Sequence, residues 1–231
     1  MIKVIVFDLW ETLIPASIDF VHVASIARHE HISLEDFIVR YEKAVQLKKY
    51  KDFEALRKDF FKAFKQEDKE DLERELYEVF LNRFDKIHFY PQVESTLSKL
   101  KSKGYKLALL SNTESIHAEE IKKRLHFENY FDFIGFSFEL HALKPAPKTF
   151  NAVLKKLKVK PSEALMIGNS LHSDIAGSKA VGMHSCWINR NERSPDARGV
   201  KPEFEIPSLN EIFKILGALN VQEKGRIVKK K

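Results

Sequence analysis

The chain has 231 residues, enough to bury a full apolar core in one large domain or in a core with a smaller insert, and its single cysteine, Cys186, excludes an internal disulfide. The net charge of +6 does not argue for nucleic acid, because in the last eleven residues Lys224, Arg226, Lys229, Lys230 and Lys231 stand against Glu223 alone and supply +4 of it. The near-neutral body mixes both signs, which argues against a basic groove, and no apolar run marks a signal peptide or membrane span, so a reducing cytoplasm is the expected compartment.

The first predicted element is a strand over residues 2–7, a short apolar run rich in β-branched side chains that ends at Asp8. From about residue 18 to 84 the texture is that of long amphipathic helices with no convincing strand. In one of them Leu34, Phe37, Ile38, Tyr41, Ala44 and Val45 share a face. After Tyr90 and Pro91 strands and helices alternate. A helix over 93–103 stops at Gly104, and a strand follows over 106–110, then a helix over 115–125 and a strand over 133–138. The alternation continues with a helix over 147–157, a strand over 164–167, a helix over 174–181, strands over 183–188 and 204–206, and a last helix over 209–219. Such repetition predicts an α/β fold with a doubly wound parallel sheet. The expected organisation is a core of residues 1–15 and 88–220, an inserted helical cap over 16–87, and a solvated, frayed basic tail over 221–231.

In an open parallel sheet, ligands bind beyond the carboxyl ends of the strands. The polar residues there are Asp8 and Thr12 after the first strand, Ser111 and Asn112 after the second, Lys144 before Pro147, and Asn169 with Asp174 after the strand over 164–167. Any one of them could be a helix cap or a solvated loop charge. Their succession on consecutive strand ends argues for one site.

The strings VIVFDLWETL, ALLSNT, LKPAPKTF and LMIGNSLHSDIAGSKAVGM resemble the four motifs of the haloacid dehalogenase superfamily, spaced across the whole chain, and the helical block resembles its cap. The resemblance implies a Rossmann-like core and an aspartate-nucleophile hydrolase. It makes Asp8 the nucleophile, Thr12 its orienting partner, Ser111 and Asn112 holders of substrate oxygen atoms, Lys144 the neutralising cation, and Asp174 the group that orders Lys144 or water. A positioned carboxylate beside a lysine is chemically suited to such an attack.

Two positions depart from the superfamily's magnesium-dependent phosphatases. Trp10 stands where they carry a second aspartate, and an indole cannot do general acid and base work near neutral pH. Asn169 stands where they carry an acidic metal ligand, and an amide offers magnesium less charge. The 2-haloacid dehalogenases carry an aromatic residue at the Trp10 position and use no metal, since a halide leaves unprotonated. In that branch a cap arginine receives the halide, and Arg40 stands at a comparable distance along the chain. The expectation is thus a metal-independent 2-haloacid dehalogenase acting on a small carboxylate, with no required cofactor and with Trp10, Arg40, Ser111, Asn112 and Asn169 lining the substrate. The alternative is a phosphatase on a small phosphorylated metabolite, with Mg2+ held by Asp8, Asn169 and Asp174, because the interval from Asn169 to Asp174 is the phosphatase one. Glu11, which replaces the dehalogenases' glycine, is a candidate replacement acid in that case. A binding protein that kept the fold is a third reading, opposed by the retention of Asp8, Lys144 and Asp174. The expected partner is a small molecule, not nucleic acid or membrane, and the chain is expected to be a monomer or homodimer. His141 and His172 read as loop residues, Cys186 and the cap phenylalanines Phe60, Phe61 and Phe64 as core.

Overall fold

A computed structural model of the chain describes residues 1–15, 33–64, 74, 87–192 and 199–228. Six strands form one parallel sheet: β1 (Val4–Phe7), β2 (Lys106–Ser111), β3 (Phe133–Phe136), β4 (Ala164–Gly168), β5 (His184–Ile188) and β6 (Phe204–Ile206), in the order β3-β2-β1-β4-β5-β6. β1 lies centrally, with Val4 opposite both Lys106 and Ala164 and Phe7 opposite both Leu109 and Ile167. Successive side chains of a strand point to opposite faces, so a strand buried on both must be apolar throughout. Ile5 and Phe7 therefore enter one core layer with Leu107, Leu109 and Ile167, whereas Val4 and Val6 enter another with Ala108, Leu110 and Met166.

Helices α3 (Val93–Ser102), α4 (Ser115–Leu125) and α8 (Ile212–Val228) cover the first layer through Leu97, Ile121 and Ile215. α6 (Pro147–Leu157) covers the second through Phe150, Val153 and Leu157. The sheet is thus wound on both sides, and its order reverses between β1 and β4, where a crevice opens at the carboxyl ends. Gly104, at φ 85°, takes the left-handed turn that ends α3.

In the cap, α1 (Leu34–Val45) and α2 (Phe53–Phe64) pack on each other. Ser33 caps α1, its Oγ accepting the amide of Asp36 at 3.0 Å. Phe37, Val45, Leu56, Phe60, Phe61 and Phe64 form a separate aromatic core in which Phe60 and Phe64 lie 4.6 Å apart. The helices expected over 18–32 and 65–84 lie outside the described residues, Arg74 apart.

Three predicted elements change form. The strand expected over 133–138 ends at Phe136, and Ser137–Leu140 coils into a short helix, α5. Ser137 leaves the sheet to accept the Thr113 amide on its Oγ at 3.1 Å. Instead of a helix starting at 174, a π-turn covers Leu171–Ala176 and leads into α7 (Gly177–Ala180). Ser170 organises it, its carbonyl accepting the amides of both Asp174 and Ile175. Finally, the last helix does not stop at 219: after a 3-10 turn over Leu209–Glu211 it continues to Val228, so most of the tail expected to be frayed is helical.

Candidate active site

β1 carries its ladder one residue past the strand, Asp8 N–H donating to the Ile167 carbonyl at 2.9 Å, and this fixes Asp8 at the crevice. The chain then turns tightly, with Leu13 N–H bonded to the Leu9 carbonyl at 2.8 Å and Glu11 N–H to that of Ile14 at 2.7 Å. Glu11 sits at φ 59°, in the region that favours glycine, which gives a physical reason for a glycine at this point of the turn. Its side chain accepts the Tyr90 hydroxyl at 3.1 Å, and Arg190 lies over the Tyr90 ring at 4.2 Å while donating to the Thr12 carbonyl at 2.9 Å. Burial and the neighbouring Glu11 raise the Tyr90 hydroxyl to about 12, so it stays a donor. Glu11 is therefore a turn anchor, and Glu11→Gln is expected to change turnover less than about twofold, since the amide still accepts from Tyr90. Steady-state kinetics on whichever substrate is turned over check this, and a loss above tenfold would restore Glu11 as an acid.

At the centre, Lys144 Nζ lies 2.6 Å from Asp8 Oδ1 and 2.6 Å from Asp174 Oδ1. All three residues are buried, at 4%, 6% and 1% exposure respectively. Thr12 Oγ1 donates to Asp8 Oδ2 at 3.0 Å, and the Ser170 amide donates to Asp174 Oδ2 at 3.0 Å. Asn112 fixes the lysine backbone from both sides, its Oδ1 accepting the Lys144 amide at 2.9 Å and its Nδ2 donating to the Lys144 carbonyl at 3.2 Å. Burial alone would lower the Lys144 ammonium, but the two carboxylates hold it above the usual lysine range. Burial pushes Asp174 up; Lys144 and the Ser170 amide partly offset this, and the charge of Asp8 adds to the rise. A Cβ on Gly168 would lie 2.2 Å from Asp174 Oδ2. Gly168→Ala is therefore expected to displace Asp174, lowering stability by about 1–3 kcal/mol and kcat by about 100-fold. Thermal melts and kinetics read the two effects separately.

Beside this clamp, Trp10 Nε1–H donates to Thr113 Oγ1 at 2.9 Å, and Thr113 Oγ1 lies 2.7 Å from Ser111 Oγ. The indole edge meets buried His117 at 6.3 Å. Thr113 ends the string ALLSNT, and nothing in its residue type marks it as the indole's partner. His117 Nδ1 lies 3.2 Å from Glu114 Oε2, and Gln46 Nε2–H donates to Glu114 Oε1 at 3.0 Å. The Tyr50 amide donates to Ser115 Oγ at 2.8 Å, so residues 46–50 seat the cap on the loop that carries Ser111 and Asn112.

Among the described residues the cap brings Glu42 to the site, a residue the sequence reading missed: Asn112 Nδ2 lies 3.4 Å from both of its carboxylate oxygens. Burial raises its carboxyl to about 7; Asn112 and Lys144 lower it, and the charges of Glu114 and Asp174 add to the rise. Arg40 is not placed with it. Its guanidinium lies 5.5 Å from the centroid of Phe64, on the cap's aromatic core. Residues two apart are about 160° apart around a helix, so Arg40 and Glu42 flank the apolar stripe on opposite borders. Asn169 accepts Trp187 Nε1–H on its backbone oxygen at 2.9 Å. His141 and His172 are exposed, and Cys186 is buried with its thiol pushed up by desolvation.

A divalent cation would have Asp8, Asp174 and the Asn169 amide as donors. Both carboxylates already give an oxygen to Lys144, and among the described residues no three His, Cys, Asp or Glu side chains are arranged to hold a metal ion. This donor set suits an ammonium ion and fits magnesium, which needs near-ideal octahedral oxygens, poorly. No helix among the described residues is long and apolar enough to cross a membrane.

Residues 2–182 match the model of the haloacid dehalogenase-like hydrolases. The chain is 31% identical over 144 residues to a glyceraldehyde 3-phosphate phosphatase of Pyrococcus furiosus, covering 62% of this chain and 60% of that protein. It is 28% identical over 135 residues to (S)-2-haloacid dehalogenase 2 of a Pseudomonas species, covering 58% of each. It thus spans about three fifths of the length of these relatives. Among solved structures, a HAD phosphatase of Thermococcus onnurineus superposes with a TM-score of 0.64 at 28% identity, over 94% of this chain and 98% of that one.

Proposed function

Since the chain belongs to the haloacid dehalogenase-like hydrolases, whose relatives include both dehalogenases and phosphatases, we propose that its reaction is metal-independent displacement of halide from a short 2-haloacid. The observation that supports this is the ammonium clamp beside an indole: Lys144 shared by Asp8 and Asp174, with Trp10 tied to Thr113 where a proton donor would be needed for an oxygen leaving group. A halide needs no proton to depart, so the loss of that acid carries no penalty.

In this reading Asp8 attacks carbon two of the substrate, forming an ester through its carboxylate oxygen as the halide takes the carbon–halogen electron pair. Thr12 and Lys144 orient the carboxylate before attack and hold the ester carbonyl afterwards. Water then adds to the Asp8 carbonyl carbon, the 2-hydroxyacid departs, and one proton is released to solvent. Asp174, beside the same ammonium, orders that step. Ser111, Asn112 and Asn169 line the substrate, with Arg40 outside this group.

A second reading, a phosphatase on a small phosphorylated metabolite, is favoured by the interval from Asn169 to Asp174 and by the Pyrococcus furiosus relative. The deciding experiment measures chloride from L-2-chloropropionate beside phosphate from an aryl phosphate, each with magnesium and with chelator. Halide release that survives the chelator is expected. Phosphate release that requires magnesium, without halide release, would replace the first reading by the second.

A further inference from the structure

We propose that Glu42 is a specificity-determining residue of the cap: its carboxyl, held on Asn112 beside the Lys144 clamp, admits a substrate carboxylate when Glu42 is protonated and repels it when Glu42 is ionised. This rests on the reading of the site as one for small carboxylates. The Asn112 amide, a donor suited to a substrate oxygen, here faces both Glu42 oxygens at 3.4 Å. The same Asn112 is held through its two bonds to the Lys144 backbone, so the Glu42 carboxyl it binds is fixed beside the clamp.

The charge pattern makes Glu42 sensitive to what enters. Asp8, Asp174 and Glu42 stand against the ammonium of Lys144, and Glu114, itself beside His117, adds a further negative field from behind. With Glu42 ionised, an incoming carboxylate meets an excess of negative charge. With Glu42 protonated, one unit of that repulsion is gone and the carboxyl can donate a hydrogen bond to the substrate. Burial, which raises the Glu42 carboxyl to about 7, is consistent with this. Asp174, the other carboxyl raised by burial, belongs to the clamp, so exchange of Glu42 alone separates the two.

The test uses the whole chain and two probes. Propionate, which has no leaving group, is titrated by calorimetry across about pH 5.5 to 9, and 2-bromopropionate turnover is followed over the same range. In the wild-type protein propionate affinity is expected to fall at least about tenfold above neutrality, and kcat/KM for 2-bromopropionate to fall with it through KM rather than kcat. In Glu42→Gln, whose amide oxygen still accepts from Asn112, propionate affinity and the KM for 2-bromopropionate are expected to be flat with pH. Propionamide is expected to bind independently of pH in either protein. The same break in Glu42→Gln, a break carried by kcat, or no propionate binding to either protein at the acid end would overturn the proposal. Absence of halide release with a Glu42-dependent propionate profile would instead sink the dehalogenase reading and leave the role of Glu42 standing.

Discussion

Exchange of Lys144 for Met is expected to lower turnover by at least about 1,000-fold and to destabilise the fold at neutral pH by about 3–5 kcal/mol. Met has nearly the length of the lysine stem, so the effect isolates the charge. Two buried carboxylates, Asp8 and Asp174, lose the one ammonium that lies 2.6 Å from each. Without it they can remain buried together only by binding a proton. The variant's folded state then holds more protons than its unfolded state, so its stability falls as pH rises through the acid range and the loss is complete at neutrality. Urea unfolding at about pH 4.5 and pH 7.5 checks this: the deficit relative to wild type should be small at the lower pH and large at the higher. An equal deficit at both would mean that lost packing, not charge, explains the effect.

Asp8→Asn is expected to have the opposite balance, a loss of at least about 1,000-fold in turnover with little change in stability. Asn can keep its one oxygen on Lys144 and donate its amide to Thr12 Oγ1, whose hydroxyl can turn to accept; it fills the same space, and Lys144 keeps Asp174 as a partner. The missing element is the nucleophile. Rapid acid quench and mass analysis of the wild type should show a peptide around Asp8 heavier by the dehalogenated acid, absent from the variant. A single turnover in heavy-oxygen water should label Asp8 rather than the product, because water adds to the aspartyl carbon. Label in the hydroxyacid alone would require direct attack by water on the substrate and would remove Asp8 as nucleophile.

Much of the sheet was legible because its information is local. The apolar run before Asp8, the proline that starts α6 at Pro147 and the β6 triplet Phe204–Ile206 each carry their own signal. The elements that changed form are governed from a distance or by side chains competing with the backbone: Ser137 turns away from the sheet to meet Thr113, 24 residues earlier, and Ser170 winds the π-turn. The same division holds at the site. Asp8, Thr12, Lys144 and Asp174 sit where strands end, and the topology brings such ends together. Glu42 lies on a helix whose polar residues all look solvated, and only helical phase separates it from Arg40. Distance along the chain favoured Arg40, and because the two residues border the same apolar stripe, only the docking of the cap on Asn112 brings Glu42 to the site.

The central place of β1 also sets the order in which the molecule can assemble. Val4–Phe7 must pair with residues 106–109 on one side and 164–167 on the other. On the ribosome, β1 is made before either partner and therefore waits until residues 164–167 have emerged before its second edge is closed. Until then an all-apolar strand is exposed along one side, the condition under which nascent chains pair with one another rather than with themselves. Folding should accordingly be slow and concentration-sensitive, and fragments ending before β4 should collect in inclusion bodies however intact their first motif.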